Sequence, residues 1–192
     1  MNKLISGAIA GATGLALLLG GAGTFALWNA STTVNANSVS SGVMTIVPLG
    51  TTSWMNKSAD VVPASGVAIP SIAAYKIVPG DKVELTQKYT VAATGDNLAA
   101  TLSYDPATIV APGAADIALK TATNFTMAAT GTGVTAGTLA NTFKIVPNGT
   151  GTTEVTVVFT ALLPTTVTGA IAQGGTLNLS ALAFKLDQNT RP

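Results

Sequence analysis

The residues of this chain able to do acid–base or metal chemistry are eight carboxylates, at Asp60, Asp81, Glu84, Asp96, Asp105, Asp116, Glu154 and Asp187. Two facing carboxylates would make an aspartic dyad or a glycosidase pair. Loop-borne carboxylates with backbone carbonyls would suit calcium, and Asp81, Asp96, Asp105 and Asp116 are the candidates for such a site. The spacing argues against both. Only Asp81 and Glu84 are close in sequence, and no Asp-x-Asp-x-Asp run occurs. Asp81 and Asp96 also fall in turn tripeptides, where an aspartate ordinarily bonds its own backbone. Histidine and cysteine are absent, which removes the commonest general base, the commonest zinc ligand, thiolate nucleophiles and disulfides together. The reading is therefore of a non-enzyme, with no catalytic residue, no cofactor and no metal ion. Trp54, Tyr75, Tyr89 and Tyr104 could line a carbohydrate face, but their scattered positions favour packing in the core or at its rim.

The elements that would carry these residues read as strands. Val83, Leu85, Tyr89, Val91 and Ala93 alternate with Lys82, Glu84, Thr86, Lys88 and Thr90, the pattern of a half-buried strand. Val155, Val157, Phe159 and Ala161 alternate with Thr156, Val158 and Thr160, a strand apolar on one face and mixed on the other, hence central in its sheet. Shorter strands are expected over 43–47, 72–78, 98–104, 125–129, 142–146 and 177–186. In the last, the apolar parity changes between Leu179 and Leu182, which suggests a bulge or a crossing between sheets. Turns are marked at Pro79-Gly80-Asp81, Thr94-Gly95-Asp96-Asn97, Asp105-Pro106, Pro112-Gly113, Pro147-Asn148-Gly149 and Gln173-Gly174-Gly175. Beyond the leader no segment shows a sustained 3.6-residue period. The fold class implied is all-β: an antiparallel β-sandwich of jelly-roll type over residues 42–192, preceded by an N-terminal signal helix.

Nine Lys+Arg balance eight Asp+Glu, and the lysines are scattered singly. No basic stripe exists to neutralise phosphates, so nucleic acid is not an expected partner. Abundant Thr, Ser and Asn imply a neutral polar surface, across which copies of the chain repel one another weakly.

Residues 1–26 read as a signal peptide. Lys3 precedes an uncharged Leu/Ala/Gly run that closes in Thr24-Phe25-Ala26-Leu27-Trp28. The run is long enough to span a membrane, but its six glycines from Gly7 to Gly23 weaken it as a permanent anchor, each costing about 1 kcal/mol against alanine in a helix. Cleavage is expected rather than retention, with the membrane a partner only through the uncleaved leader. Residues 27–41 then form a polar, β-branched tract that reads as an extended arm.

Three stretches in order resemble the TasA and camelysin family of secreted proteins with alternate-type signal peptides. These are Gly20-Gly-Ala-Gly-Thr-Phe-Ala-Leu-Trp-Asn29, then Val39-Ser-Ser-Gly-Val-Met-Thr-Ile46, then Ile77-Val-Pro-Gly-Asp-Lys-Val83 continuing to Thr94-Gly-Asp-Asn-Leu98. The resemblance implies release by a SipW-like signal peptidase. Such enzymes need small side chains at −1 and −3, which Ala26 and Thr24 provide, so the cut falls between Ala26 and Leu27. It also implies a structural subunit of cell-surface or biofilm-matrix fibres that polymerises head to tail with copies of itself, the arm donating a strand through Leu27, Trp28 and Val34. The alternatives are a monomeric secreted adhesion or carbohydrate-binding module and a camelysin-like protease; the missing histidines argue against the latter. Intact-mass analysis of secreted protein is expected to give an N-terminus at Leu27, and full-length protein held in the membrane would remove the secretion reading.

Overall fold

Turn residues cut the chain into short extended runs, and the computed structural model, which describes residues 42–94, 98–146, 151–170 and 172–189, pairs these runs into antiparallel sheets. The strands are β1 (Met44–Asn56), β2 (Val67–Ala68), β3 (Lys82–Ala93), β4 (Ala100–Tyr104), β5 (Asn124–Gly131), β6 (Val134–Ala136), β7 (Thr142–Ile145), β8 (Thr152–Leu162) and β9 (Phe184–Gln188). One α-helix, α1 (Ala114–Ala122), interrupts them. The first sheet has the order β2-β1-β3-β8-β5 and the second β6-β7-β4-β9. All described residues belong to one unit, Ser40–Pro192. The signal helix and arm expected over residues 1–41, with Thr24, Ala26, Leu27, Trp28 and Val34, lie outside the described residues. Among those described, no helix is long and apolar enough to cross a membrane.

The two long alternating runs build the centre. β3 pairs with β8 from Lys82↔Leu162 to Ala92↔Thr152 without a slip. Val83, Leu85, Val91 and Ala93 on one strand and Val155, Val157, Phe159 and Ala161 on the other are buried. β8 lies between β3 and β5, as a strand apolar on one face and mixed on the other should. Leu102 from β4 and Ile145 from β7 join Val91, Val155, Val157 and Met127 in one cluster, so the two sheets share their core. A second cluster surrounds Phe159, whose ring meets Tyr104 and Phe184 edge-on and stacks on Phe125.

One polar residue sits in this apolar face. Gln87 occupies the middle of β3's buried side and is only 4% exposed. Opposite it β1 carries two extra residues, because Leu49 pairs with Lys88 but Ser53 pairs with Thr86. Gly50, at φ 75, begins the bulge in a conformation that costs glycine little. Gln87 satisfies what the bulge leaves unpaired: its amide donates to the carbonyls of Leu49 (3.1 Å) and Lys88 (2.7 Å), and its oxygen accepts from Thr52 Oγ1 at 2.5 Å. Since two residues are inserted, the pleat keeps its phase and both Ile46 and Trp54 face the core.

Three expectations are corrected. Residues 72–78 form no strand; a 3-10 turn at Ile72–Ala74 is followed by irregular chain up to Pro79. Tyr75 is held by its hydroxyl instead, which accepts from Asn56 Nδ2 and donates to Asp81 Oδ2. The strand expected over 177–186 begins only at Phe184, and the parity change belongs to a turn in which Asn178 Oδ1 accepts from the N–H and hydroxyl of Ser180. The third is α1, which was not expected because nine residues with a single buried side chain, Leu119, are too short to display a period. Its start is nevertheless chemically marked, since Asp116 Oδ2 accepts from the Gly113 N–H at 2.9 Å. β1 also extends well past Val47, and β2 and β6 carried no signal in the sequence.

Phe159→Ala is expected to destabilise the protein by about 3–5 kcal/mol, because the fully buried ring meets three aromatic neighbours that cannot all collapse into the vacated space. Denaturant unfolding measures this; a loss below about 1 kcal/mol would mean that the aromatic cluster is not holding the sheets together.

Candidate functional site

Strand parity decides which backbone groups remain available at the sheet margins. Just before β1, the Val43 carbonyl accepts from the Thr94 N–H, so Val43, Thr45, Val47 and Leu49 turn their backbone toward β3. Met44, Ile46 and Pro48 turn theirs the other way. Beyond the bulge, Trp54 and Asn56 also point outward, and there β2 covers them, with the Ile69 N–H on the Trp54 carbonyl at 2.8 Å. Met44 to Pro48 thus present five outward groups: N–H and C=O of Met44, N–H and C=O of Ile46, and C=O of Pro48, whose nitrogen has no hydrogen. No described strand pairs with them.

This margin is uncharged and largely apolar, with Thr45 the one polar residue, exposed on its outer face between Val43 and Val47. Met44 and Ile46 are half-buried toward the core, while Val43 (54% exposed), Val47 (55%) and Leu49 (42%) project from the opposite side. No charged residue occurs from Gly42 to Asn56. The other margins differ. β9 points Phe184, Leu186 and Gln188 outward, yet carries the charged Lys185 and Asp187 between them, and β6 is three residues long. β5 meets the side chain of Asn141. Charge, shortness, proline and a covering element are the usual ways of blunting an edge; between Met44 and Pro48, β1 carries no charge, no described residue covers it, and only Pro48 withholds a hydrogen.

Asp81, Asp105 and Asp116 are each engaged by neighbouring hydrogen-bond partners. Asp81 Oδ2 accepts from the Val78 N–H at 2.9 Å and from Tyr75, while Oδ1 accepts from Ser58 Oγ at 3.3 Å. Gly80, at φ 103, lets the Pro79-Gly80-Asp81 turn close beneath it. Burial, followed by the neighbouring Asp81 charge, pushes the Tyr75 hydroxyl up to about 12, which keeps it protonated as a hydrogen-bond donor. Asp105 accepts from the Ala107 N–H and pairs with Lys185 at 2.5 Å. Asp116 joins the start of α1 to the Thr176 N–H at 2.6 Å. Asp96 lies outside the described residues. Among those described, no group of three or more His, Cys, Asp or Glu is placed to hold a metal. Of the aromatic residues, Trp54 and Tyr104 pack on the Phe159 cluster, and Tyr89 meets Phe184 edge-on, so no flat platform results. A shallow cleft of about 360 Å³ lies beside Tyr75, lined by Val67, Ile69, Pro70 and Ala74.

No family model matches this chain, and no curated protein or solved structure does.

The engaged aspartates give stability a definite acid limb. Lys185, then the Ala107 N–H, hold Asp105 below its ordinary value of 3.8, and the Thr176 and Gly113 N–H groups do the same for Asp116. A carboxyl depressed in the folded state contributes stability above its unfolded value and loses it as pH falls through the folded one. The unfolding midpoint should therefore stay level down to about pH 4 and decline below it. In an Asp105→Asn/Asp116→Asn double variant the acid slope should flatten; an unchanged slope would show that other groups set it.

Proposed function

We propose that this chain is a secreted structural subunit that polymerises into fibres at the cell surface or in a biofilm matrix, the arm of one copy adding as a strand to the β1 margin of the next. The observation that carries the reading is the margin of β1 at Met44–Pro48: uncharged, largely apolar, and unpaired by any described strand. Such an edge is a template for β-strand addition. The two sheets are read as halves of a jelly-roll sandwich whose β1 side is completed by the incoming strand.

The arm has the composition this requires. Extended, it would place Trp28, Ala30, Thr32, Val34 and Ala36 on one face and Asn29, Ser31, Thr33, Asn35 and Asn37 on the other. The apolar face matches the core side of β1, where Ile46 is only partly covered. Five backbone bonds would contribute about 1 kcal/mol each. Burial of Trp28 and Val34 on the core side, and of Leu27 on the other face, where Val47 and Leu49 are exposed, would add roughly 25 cal/mol per Å² of apolar area. These gains must exceed an association cost of at least about 4 kcal/mol. A SipW-like signal peptidase, cutting between Ala26 and Leu27, would free the arm, and an uncleaved leader would keep it at the membrane. The partner is thus a second copy, joined head to tail, and no catalytic step is involved.

Two variants test the reading. Ile46→Pro removes an outward N–H without touching any β1–β3 hydrogen bond, as Pro48 already does two residues on. It is expected to leave a folded monomer and abolish fibres by electron microscopy. Thr45→Pro, whose N–H faces β3, should instead unfold the margin. Deletion of residues 27–37 should likewise stop polymerisation. If the Ile46→Pro chain is folded by circular dichroism and still gives fibres of normal diameter, strand addition at β1 is wrong. Wild-type protein that stays near its monomer mass at every concentration in size exclusion would point to the adhesion-module reading.

A further inference from the structure

β5 closes the opposite side of the first sheet and poses the problem that β1 leaves open. Its pairing with β8 turns Asn124, Thr126, Ala128 and Thr130 inward, so Phe125, Met127 and Ala129 direct their N–H and C=O groups away from the sheet. β5 is as apolar as β1 on its buried face and carries no charge from Asn124 to Gly131. By composition alone it would accept a strand equally well.

One side chain occupies the place where that strand would lie. Asn141 Oδ1 accepts from the Met127 N–H at 2.8 Å, and Asn141 Nδ2 donates to the Phe125 carbonyl at 3.5 Å. These two groups are adjacent along the outward side of β5, and a carboxamide that accepts from one and donates to the other repeats the pattern of a peptide unit in a neighbouring strand. The backbone is shaped to deliver it. Asn141 has φ 60, a left-handed conformation that asparagine tolerates better than most residues. The loop is pinned on either side by the Gly137 N–H on the Thr142 carbonyl (2.8 Å) and by Thr142 Oγ1 on the Leu139 carbonyl (2.7 Å).

We propose that Asn141 is a strand mimic that seals β5 and so confines assembly to a single acceptor edge per subunit. The inference builds on strand addition at β1 for its consequence, unbranched growth, but the seal itself is independent of that reading. Unsealed, each subunit would offer two acceptors and growth would branch or thicken.

The test uses the chain from Leu27 as wild type, Asn141→Gly, Ile46→Pro and the double variant. Glycine keeps the left-handed backbone unstrained while removing the carboxamide. Hydrogen exchange at the Met127 amide should accelerate about five- to tenfold in Asn141→Gly, as expected for loss of one hydrogen bond. Analytical ultracentrifugation and microscopy should show Asn141→Gly forming thickened or branched assemblies. The double variant should associate again where Ile46→Pro alone is monomeric. Should Asn141→Gly be poorly folded, Asn141→Ala serves instead: it also lacks the carboxamide and adds no charge to the edge, and should show the same exposure of the Met127 amide and the same new association. The seal is refuted if the Met127 amide is exposed to exchange and the association state of every variant still equals that of its parent. If Ile46→Pro alone still polymerises, it is the β1 reading that fails, and the comparison of Asn141→Gly with wild type still decides the role of Asn141.

Discussion

The described strands of this molecule are arranged around the ladder between β3 and β8. It runs without a slip from Lys82↔Leu162 to Ala92↔Thr152, and its inward side supplies four of the seven largest fully buried side chains, Val91, Val155, Val157 and Phe159. A chain without cysteine has no covalent alternative to this burial. The constraint then propagates outward. β1 and β5 are fixed in register by the two centre strands, β4 and β7 pack their apolar sides on the same cluster, and the loops carry what remains. Gln87 marks where the constraint is relaxed: the ladder tolerates a buried amide at that point because β1 bulges there and supplies it with partners.

The regular part of this plan could be read from residue types because a two-residue period is a local property. The alternation in 82–93 and 152–162 is long enough to fix both face and centrality. What could not be read depends on partners distant in the chain. The apolar spacing of Ile72, Tyr75 and Ile77 looks extended, but Tyr75 is placed by Asn56 and Asp81, nineteen and six residues away. Leu177, Leu179 and Leu182 do pack on the core, as their apolar character suggested, though from a turn rather than a strand. Helix α1 had its signal in Asp116, three residues after Gly113, which the turn signal of Pro112-Gly113 masked. Residues 95–97 and 147–150, where other turns were expected, lie outside the described residues.

The margins were the least legible feature, although they carry the functional argument. Open edges are defined by which strands fail to pair, and that is a property of topology rather than of any segment. A hint existed in the uncharged stretch from Leu4 to Asn56 and in Pro48 within it, since proline inside an apolar alternating run points to an edge strand. The role of Asn141 had no such hint. Its neighbours in sequence say turn, and only the approach of that turn to Met127 gives its carboxamide something to imitate.

If the chain polymerises as proposed, it needs an asymmetry that its own fold does not automatically provide. A two-sheet protein has several margins, and a donor arm would distinguish them only by what blocks it. Lys185 and Asp187 guard β9, brevity guards β6, and a side chain covers β5, leaving Met44 to Pro48 as the margin that is both uncharged and uncovered among the described residues. One donor and one acceptor, on different surfaces, make a heterologous contact that propagates without closing. The absence of strong surface charge then matters in a second way. Without Lys3, which the proposed cleavage would remove, eight basic residues balance eight acidic ones, so successive copies would meet little repulsion and the proposed contact would need only the short ladder that five backbone groups can form. A longer acceptor would hold the arm more tightly but would also pair with any extended chain; the bulge at Gly50–Thr52 and the missing hydrogen of Pro48 end the template early, and alternation of apolar side chains along the arm is left to decide which strand fits.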